Sequence, residues 1–573
     1  MDLPAWAVEM RDLFRSGSVS QFLLHGNVFD AITTPDIQES RLVSLGAFLD
    51  EVMFEKYDVI LHYDRGKGIR AARGAEDWGE WLRSALGDQA SSIVPLREPG
   101  AAMELIDRYL LRSLNLQSLR GRESAPLKIA VIIEFAEFVV PRGDPLQLGG
   151  AFSCNVVKVL GWANDPAILR SDIVTVLIAE GLHDLNSLVV ENPHAAALNI
   201  PLPDEKEMSE YVAMLAAGSL RELASQSELP LETLGRRLTG LSRVGARTVL
   251  SRALRSEQTI TSSWLTRMKK ERIEKECQGL LEFIESSFTL DNLSGSDAVK
   301  AWLREDAELM RRGVFYALPM GYLITGRIGT GKTFLVQCWA GELGIPCVIF
   351  KNFRDRWVGA TESNLEKIFS ILKALGQVVV FVDEADQAAG KREGQDSDGG
   401  LSGRVYAMLA KEMSDTRNRG KILWIFATSR PDLLEVDLKR QGRLDVHIPL
   451  FPPETPEEVR ALFLSIARKL KVELAESDIP DLPEGLELGG NEIEGILVRA
   501  LRIRVLAAQP RMLRDVLSEV LREVRPNAHR LKLEYMDLVA VKECTDSRFL
   551  PERFRAMGPD ELEQRIGELR RFV

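Results

Sequence analysis

The octet Gly-Arg-Ile-Gly-Thr-Gly-Lys-Thr, residues 326–333, sets Gly326, Gly329 and Gly331 around Thr330 and closes on Lys332 and Thr333. Glycines at this spacing let a loop wrap so that consecutive backbone N–H groups, and the first turn of a following helix, face an anion. Lys332 then neutralises β/γ-phosphate charge, and the Thr333 hydroxyl can ligate Mg²⁺. The apolar run Tyr322-Leu323-Ile324 precedes the octet and TFLVQCWAGEL follows it. That strand–loop–helix context separates a phosphate-binding loop from a glycine-rich turn with a surface lysine. Further on, VVVFVDEAD delivers Asp383 and Glu384 at the end of an apolar run. Two carboxylates there often do no more than cap a helix. Beside a phosphate loop, Asp383 is placed to hold Mg²⁺ and Glu384 to polarise an attacking water, which is the chemistry of ATP hydrolysis.

The elements that must carry these residues occur twice. VLIAEGLHDLNSLVVENPHAAALNIPLPDE (176–205) aligns without gaps with the central part of WIFATSRPDLLEVDLKRQGRLDVHIPLFPPE (424–454). Asp184 and Asp432 are each followed seventeen residues later by the proline of an Ile-Pro-Leu triplet, Pro201 and Pro449. Upstream, QFLLHGN (21–27) matches GYLITGR (321–327), and AVIIEFAE (130–137) matches VVFVDEAD (379–386). The pattern is a tandem duplication. Strands alternating with helical stretches predict an α/β fold, and continuous apolar runs predict parallel strands buried on both faces. We therefore expect two P-loop-NTPase-like parallel-sheet modules, each followed by a small helical lid. The expected boundaries are 1–203 for the first α/β domain and 204–256 for its lid. A linker helix follows over 257–287, then the second α/β domain over 288–453, and the second lid with C-terminal helices over 454–573. The charged stretch TRMKKERIEKECQGLLEFIESS (266–287) reads as the solvated face of that linker helix. The tail GPDELEQRIGELRRFV (558–573) reads as a short charged helix, of a kind often merely solvated at a terminus.

In this order the motifs resemble the AAA clade of AAA+ ATPases, the group that contains katanin, spastin, NSF and the valosin-containing unfoldases. The resemblance covers residues 288–510. ATSRPDLLEVDLKRQGRLD (427–445) looks like the family's second region of homology, which implies that Arg440 and Arg443 are arginine fingers reaching the γ-phosphate of a neighbouring subunit. A cation supplied in trans stabilises transition-state charge and couples hydrolysis to assembly. Ser429 falls on the sensor-one asparagine and is a shorter water-orienting group. Arg327 and Ile328 replace two prolines of the usual loop. Asn292 and Ser294, in FTLDNLSGSDAVKAWL (288–303), match the segment bordering adenine. Gly490 and Asn491, in LGGNEIEGILVRA (488–500), match the lid motif near adenine and ribose. Trp357-Val358-Gly359 fits the aromatic–hydrophobic–glycine pattern of the first pore loop. The glycine-rich 390–404 segment stands where the family has a second one.

By the same alignment the first copy has lost this chemistry. Gly26 aligns with Gly326, but Ile32 replaces the lysine, Glu134 stands at the metal aspartate and Phe135 at the catalytic glutamate; Asn192 and Ala195 replace the two fingers. An isoleucine cannot neutralise phosphate, nor a phenylalanine polarise water. The resemblance therefore implies a protein-remodelling ATPase with ATP and Mg²⁺, one degenerate and one active tier, forming a homo-hexamer on a protein client. An ATP-binding switch or assembly scaffold that docks its client without threading it is the alternative.

Composition narrows the partners. Lys+Arg 73 against Asp+Glu 84 gives −11, so there is no general electrostatic footprint for nucleic acid, and a clamp-loader reading is disfavoured. Apolar runs stop at five to seven residues, where a spanning helix needs about 18–20, so no membrane partner is expected. The N-terminal MDLPAWAVEMRDLFRSG reads as an amphipathic helix, not an export signal, and the chain is expected to begin at Met1. Five cysteines, widely spaced and never as Cys-x-x-Cys, argue against disulfides or zinc and for a reducing, cytoplasmic setting.

Overall fold

The apolar runs form the strands of two six-stranded sheets in the computed structural model, which describes residues 3–572 apart from 35–40, 88–95, 121–126, 145–147, 278, 285, 351–361, 387–406, 482–487, 508–510 and 525–528. The chain divides into two compact units, Met1–Ile273 with Gly359–Ala374, and Glu274–Val358 with Leu375–Val573.

In the first unit the strands are β1 (Gln21–Gly26), the short hairpin β2 (Ile32–Thr33) and β3 (Leu42–Val43), β4 (Val59–Asp64), β5 (Gly68–Arg73), β6 (Ile129–Glu134), β7 (Ile173–Ile178) and β8 (Ala195–Ile200). The sheet order is β5–β4–β6–β7–β1–β8, parallel except for the β4–β5 hairpin at one edge. β7 is buried at every position, as an isoleucine- and valine-rich strand covered on both faces should be. The N-terminal helix Ala5–Arg15 buries Trp6, Ala7 and Met10, in line with its amphipathic reading. Beyond β8, Asp204 opens helix Glu205–Ala217 with a capping box closed by Glu207, and helices Leu231–Leu238 and Arg243–Arg255 complete a helical cap.

The second unit contains β9 (Leu281–Ile284), β10 (Gly321–Thr325), β11 (Cys347–Phe350), β12 (Val378–Val382), β13 (Ile422–Thr428) and β14 (Val446–Pro449), ordered β14–β10–β13–β12–β11–β9. Five strands repeat the connectivity of the first sheet, with β10 in the place of β1 and β12 in the place of β6. The duplication read from sequence is therefore present in topology. The edges differ: the first sheet ends in a hairpin strand, the second in β9, which runs antiparallel to β11. β9 corrects the expected helix over 266–287. The helix Ser262–Glu276 stops before Gly279, which has φ 71°, and Leu281–Ile284 pairs with the sheet edge instead. Short-range charge patterning could not reveal an edge that only the assembled sheet offers.

Helices Pro456–Lys469, Gly490–Leu506 and Leu513–Glu523 form a cap with its own apolar core around Phe463, Ile493 and Leu517. The next helix, Arg530–Glu543, is buried at seven consecutive residues from Tyr535 to Val541. The tail helix Pro559–Leu569 packs on it rather than standing in solvent: Leu569 is buried, Arg565 pairs with Glu534 at 2.8 Å and Lys542 with Glu563 at 2.8 Å. No helix among the described residues is long and apolar enough to cross a membrane.

Candidate functional site

The octet connects β10 to helix Lys332–Leu343. Gly326, Gly329 and Gly331 all have positive φ, 137°, 87° and 86°, a region that glycine alone enters without strain. At Gly326 a Cβ would collide with the carbonyl of Leu450, so the turn is closed to any side chain. Gly331 sits at the N-cap of the helix with no capping side chain, which leaves that helix N-terminus for an anion.

Three further elements converge on the loop. Lys332 Nζ donates to the carbonyls of Gly326 (2.8 Å) and Arg327 (3.1 Å) and to Ser429 Oγ (2.9 Å) at the end of β13. Burial pulls the Lys332 ammonium down to about 8, against the opposing pull of Asp383 and its acidic neighbours. A lysine held that far down is short of negative charge, which phosphate would supply. Thr333 Oγ1 donates to Asp383 Oδ2 at 2.8 Å. A hydroxyl and a carboxylate oxygen side by side are hard donors of the kind Mg²⁺ takes alongside substrate phosphates, so the residues fit the metal. Glu384 follows in the left-handed region, φ 47°, its N–H held by Asp383 Oδ1 at 2.9 Å, and its side chain is exposed. That kink turns consecutive carboxylates apart, one toward Thr333 and one toward solvent.

Beside the loop lies a cavity of about 390 Å³ lined by Ser294, Gly329, Thr330, Phe334, Gly490 and Asn491, among others. Gly490 N–H donates to the Gly329 carbonyl at 2.8 Å, tying the cap to the loop. Asn292 is placed otherwise: its Oδ1 accepts the Thr289 N–H at 2.8 Å, and its carbonyl accepts Ser465 Oγ. It shapes the turn beside the cavity and does not line it.

The two arginines of the 427–445 segment differ. Arg440 is 61% exposed and pairs with the similarly exposed Asp437 carboxylate at 3.1 Å. Arg443 is 9% exposed and donates to the Asp437 carbonyl at 2.7 Å as well as to its carboxylate. Trp357 and Val358 lie outside the described residues, as does the 390–404 segment. Sequence reading missed Arg430, whose guanidinium forks onto Asp432 at 3.0 and 2.9 Å while Tyr535 Oη donates to the same carboxylate at 3.1 Å. The adjacent arginine and aspartate of Arg-Pro-Asp were the available signal.

The equivalent place in the first unit is filled by the protein itself. The N–H groups of Gly26, Asn27, Val28 and Asp30 donate to the carbonyls of Glu180, Ile200, Gly26 and Asn27, leaving no row of donors for phosphate. The Asp30 carboxylate accepts the N–H groups of Arg243 (2.9 Å) and Val244 (3.0 Å) at the start of helix Arg243–Arg255. A built-in anion thus occupies a helix N-terminus and latches the cap onto the loop. Phe135 keeps the left-handed kink of Glu384, φ 54°, but presents a ring stacked on Phe29 at 5.4 Å. Glu134 accepts His62 Nδ1 at 2.9 Å while Asp50 meets Nε2 at 2.8 Å. Burial alone would lower the histidine, but the two carboxylates outweigh it and raise His62 to about 9. An imidazolium therefore neutralises the carboxylate that stands at the metal position.

This fold with a glycine-rich loop, a paired hydroxyl and carboxylate, and a degenerate copy ahead of it defines an AAA+ protein. The comparisons agree. Residues 322–451 match the family described as ATPase family associated with various cellular activities (AAA). Residues 1–201 match AAA+ chaperone, N-terminal Rossmann-like domain, and residues 207–278 match AAA+ chaperone, second helical domain. The chain thus carries an AAA ATPase domain behind an AAA+ chaperone N-terminal region. Among its relatives, the ATP-dependent zinc metalloprotease FtsH 1 of Symbiobacterium thermophilum is 29% identical over 235 residues, 39% of this chain and 39% of that protein. The peroxisomal ATPase PEX6 of Candida glabrata is 27% identical over 301 residues, 47% of this chain and 30% of that protein. Protein SAV of Sulfolobus acidocaldarius is 35% identical over 139 residues, 24% of this chain and 18% of that protein. The chain thus spans two fifths or less of these relatives.

Proposed function

We propose that this chain is a protein-remodelling ATPase that hydrolyses ATP in its second module and works as a ring, a homo-hexamer by the family pattern, on a protein client. The observation that carries the reading is the convergence of Lys332, Thr333, Asp383 and Ser429 on one glycine loop, with Lys332 held by neutral oxygens that triphosphate can replace. Lys332 and the N–H groups of the loop bind the β- and γ-phosphates, and Glu384 takes a proton from the attacking water. Thr333 and Asp383 would hold Mg²⁺, which when bound would neutralise phosphate charge. Ser294, Gly490 and Asn491 border the base and ribose, while Asn292 supports the turn beside them. Exposure of Arg440 favours it as the finger given to an adjoining subunit. Arg443, tied to Asp437, holds the finger segment in shape. Trp357 and Val358 are assigned to the client-gripping pore loop. The domains divide at 1–203, 204–256, 257–287, 288–453 and 454–573, with β9 at 281–284 belonging to the second sheet. A glutamine at position 384 tests the chemistry: Glu384→Gln should bind ATP as the native protein does and lose turnover by about 10²-fold or more, and unimpaired hydrolysis would refute the role.

One observation favours the switch reading. Ser429 stands at the sensor position with a shorter group for orienting water than an asparagine amide, which suits slow turnover and a long-lived ATP-closed state. Trp357→Ala separates the two readings: a threading motor loses client remodelling and keeps basal ATPase, whereas a switch keeps both.

A further inference from the structure

Arg327, inside the phosphate loop, is a buried cation with its anion 210 positions further along the chain. Its guanidinium lies 3.5 Å from Asp537, with the two side chains 8% and 7% exposed. Taking a guanidinium out of water is unfavourable unless an opposite charge meets it. The loop can hold this shape with arginine at 327 because helix Arg530–Glu543 brings a carboxylate to it. The backbone of the same residue controls the catalytic lysine, since the Arg327 carbonyl accepts both Lys332 Nζ (3.1 Å) and Thr330 Oγ1 (2.9 Å). Displacing Arg327 therefore displaces two of the loop's own groups.

The helix that carries Asp537 is itself fixed by the segment following the sensor position. Tyr535 Oη donates to Asp432 at 3.1 Å, with the Arg430 guanidinium 5.2 Å over the tyrosine ring. Glu543 accepts Lys439 Nζ through its carboxylate and meets His447 Nδ1 through its carbonyl at 2.8 Å. Seven consecutive buried residues along the helix fit a strut with neighbours on every side. Asp537 is thus held in place independently of the loop it meets.

We propose that Asp537 is a positioning residue for nucleotide: through Arg327 it sets the phosphate loop and makes helix Arg530–Glu543 an integral part of the ATP site. The proposal rests on the reading of that loop as an ATP site. Its effect falls on affinity and on kcat/KM, with kcat at saturation changing less, because the group acts on the cradle and not on the reacting atoms.

The test is a titration of the full chain with a fluorescent ADP analogue, alongside ATPase kinetics. Asp537→Asn keeps the shape and removes the charge, and should weaken binding about tenfold or more. Asp537→Glu should stay within about threefold, and the Arg327→Leu/Asp537→Asn pair should bind better than Asp537→Asn alone because the buried cation is removed together with the carboxylate that faced it. Arg327→Leu by itself takes the guanidinium from Asp537 and should also weaken binding, and in combination with Asp537→Asn the loss should be less than the sum of the two single effects. This arm serves if Asp537→Asn does not fold. Native affinity in Asp537→Asn, native affinity in Arg327→Leu, or additive effects in the double variant would each overturn the proposal. Failure of the native chain to bind nucleotide would instead overturn the ATP-site reading on which it stands.

Discussion

Replacing Asp30 by alanine should unlatch the cap of the first unit. Asp30 is 4% exposed and accepts the N–H groups of Arg243 and Val244 at 2.9 and 3.0 Å and Asn27 Nδ2 at 3.0 Å. A hydrogen bond to an ionised acceptor contributes about 1.5–3 kcal/mol, and loss of a capping side chain costs about 1 kcal/mol. Two effects reduce the sum. Ser242 Oγ still accepts the Gly245 N–H at 3.0 Å, and water can reach a loosened helix end. The net cost is about 2–4 kcal/mol, which at roughly 2–4 °C per kcal/mol for a unit of this size lowers its transition by about 4–16 °C. Asp30→Asn keeps one acceptor oxygen and should lose about half as much. Calorimetry gives the shift, and hydrogen exchange gives its location: protection should fall across 243–255 first, and ATP should not restore it. Native protection at Arg243 and Val244 in Asp30→Ala would refute the latch.

Arg440→Ala should leave the melting temperature within about 1 °C, as for most exposed positions, yet reduce ATPase by about 10³-fold. Arg443→Ala should lower the melting temperature of the second unit clearly more than Arg440→Ala, because it removes a buried side chain and its hydrogen bond to the Asp437 carbonyl; equal effects of the two on stability would contradict the division of roles. Nucleotide affinity should be level below pH 8 and fall above it. Lys332, held near 8, loses its proton there, and the loss approaches tenfold per pH unit; an affinity unchanged between pH 7 and 10 would show that Lys332 does not meet phosphate. In the first unit, His62 is raised from 6.5 to about 9. Its contribution to stability is therefore complete below 6.5 and lost as pH rises through 9. The alkaline decline in the melting temperature should disappear in His62→Gln.

Function-bearing residues were legible because their chemistry depends on local spacing. The glycine octet must be contiguous to form one loop, and Asp383 and Glu384 must end a strand, so a linear reading finds both. The duplicated fold was legible for a related reason, since buried parallel strands demand continuous apolar runs wherever they occur. What remained hidden depends on groups far apart in the chain. Nothing near Arg327 announces Asp537, and nothing near Asp30 announces that its carboxylate is spent on the N-terminus of a helix 213 residues away.

The amino-acid sequence by itself determined the α/β class, the tandem order, the phosphate loop with its acidic pair, and the loss of lysine and glutamate from the first copy, because each is a matter of residue type at fixed short separation. Tertiary structure alone decided which arginine of the finger segment faces solvent, that residues 281–284 extend a sheet, and that Ser429 is held by Lys332. It alone shows how the first unit replaces the missing charges with Asp30 and His62. Those outcomes turn on burial and on charge pairing across the fold, and an ionic group's partner is set by where the packed core leaves it, not by its neighbours in the chain.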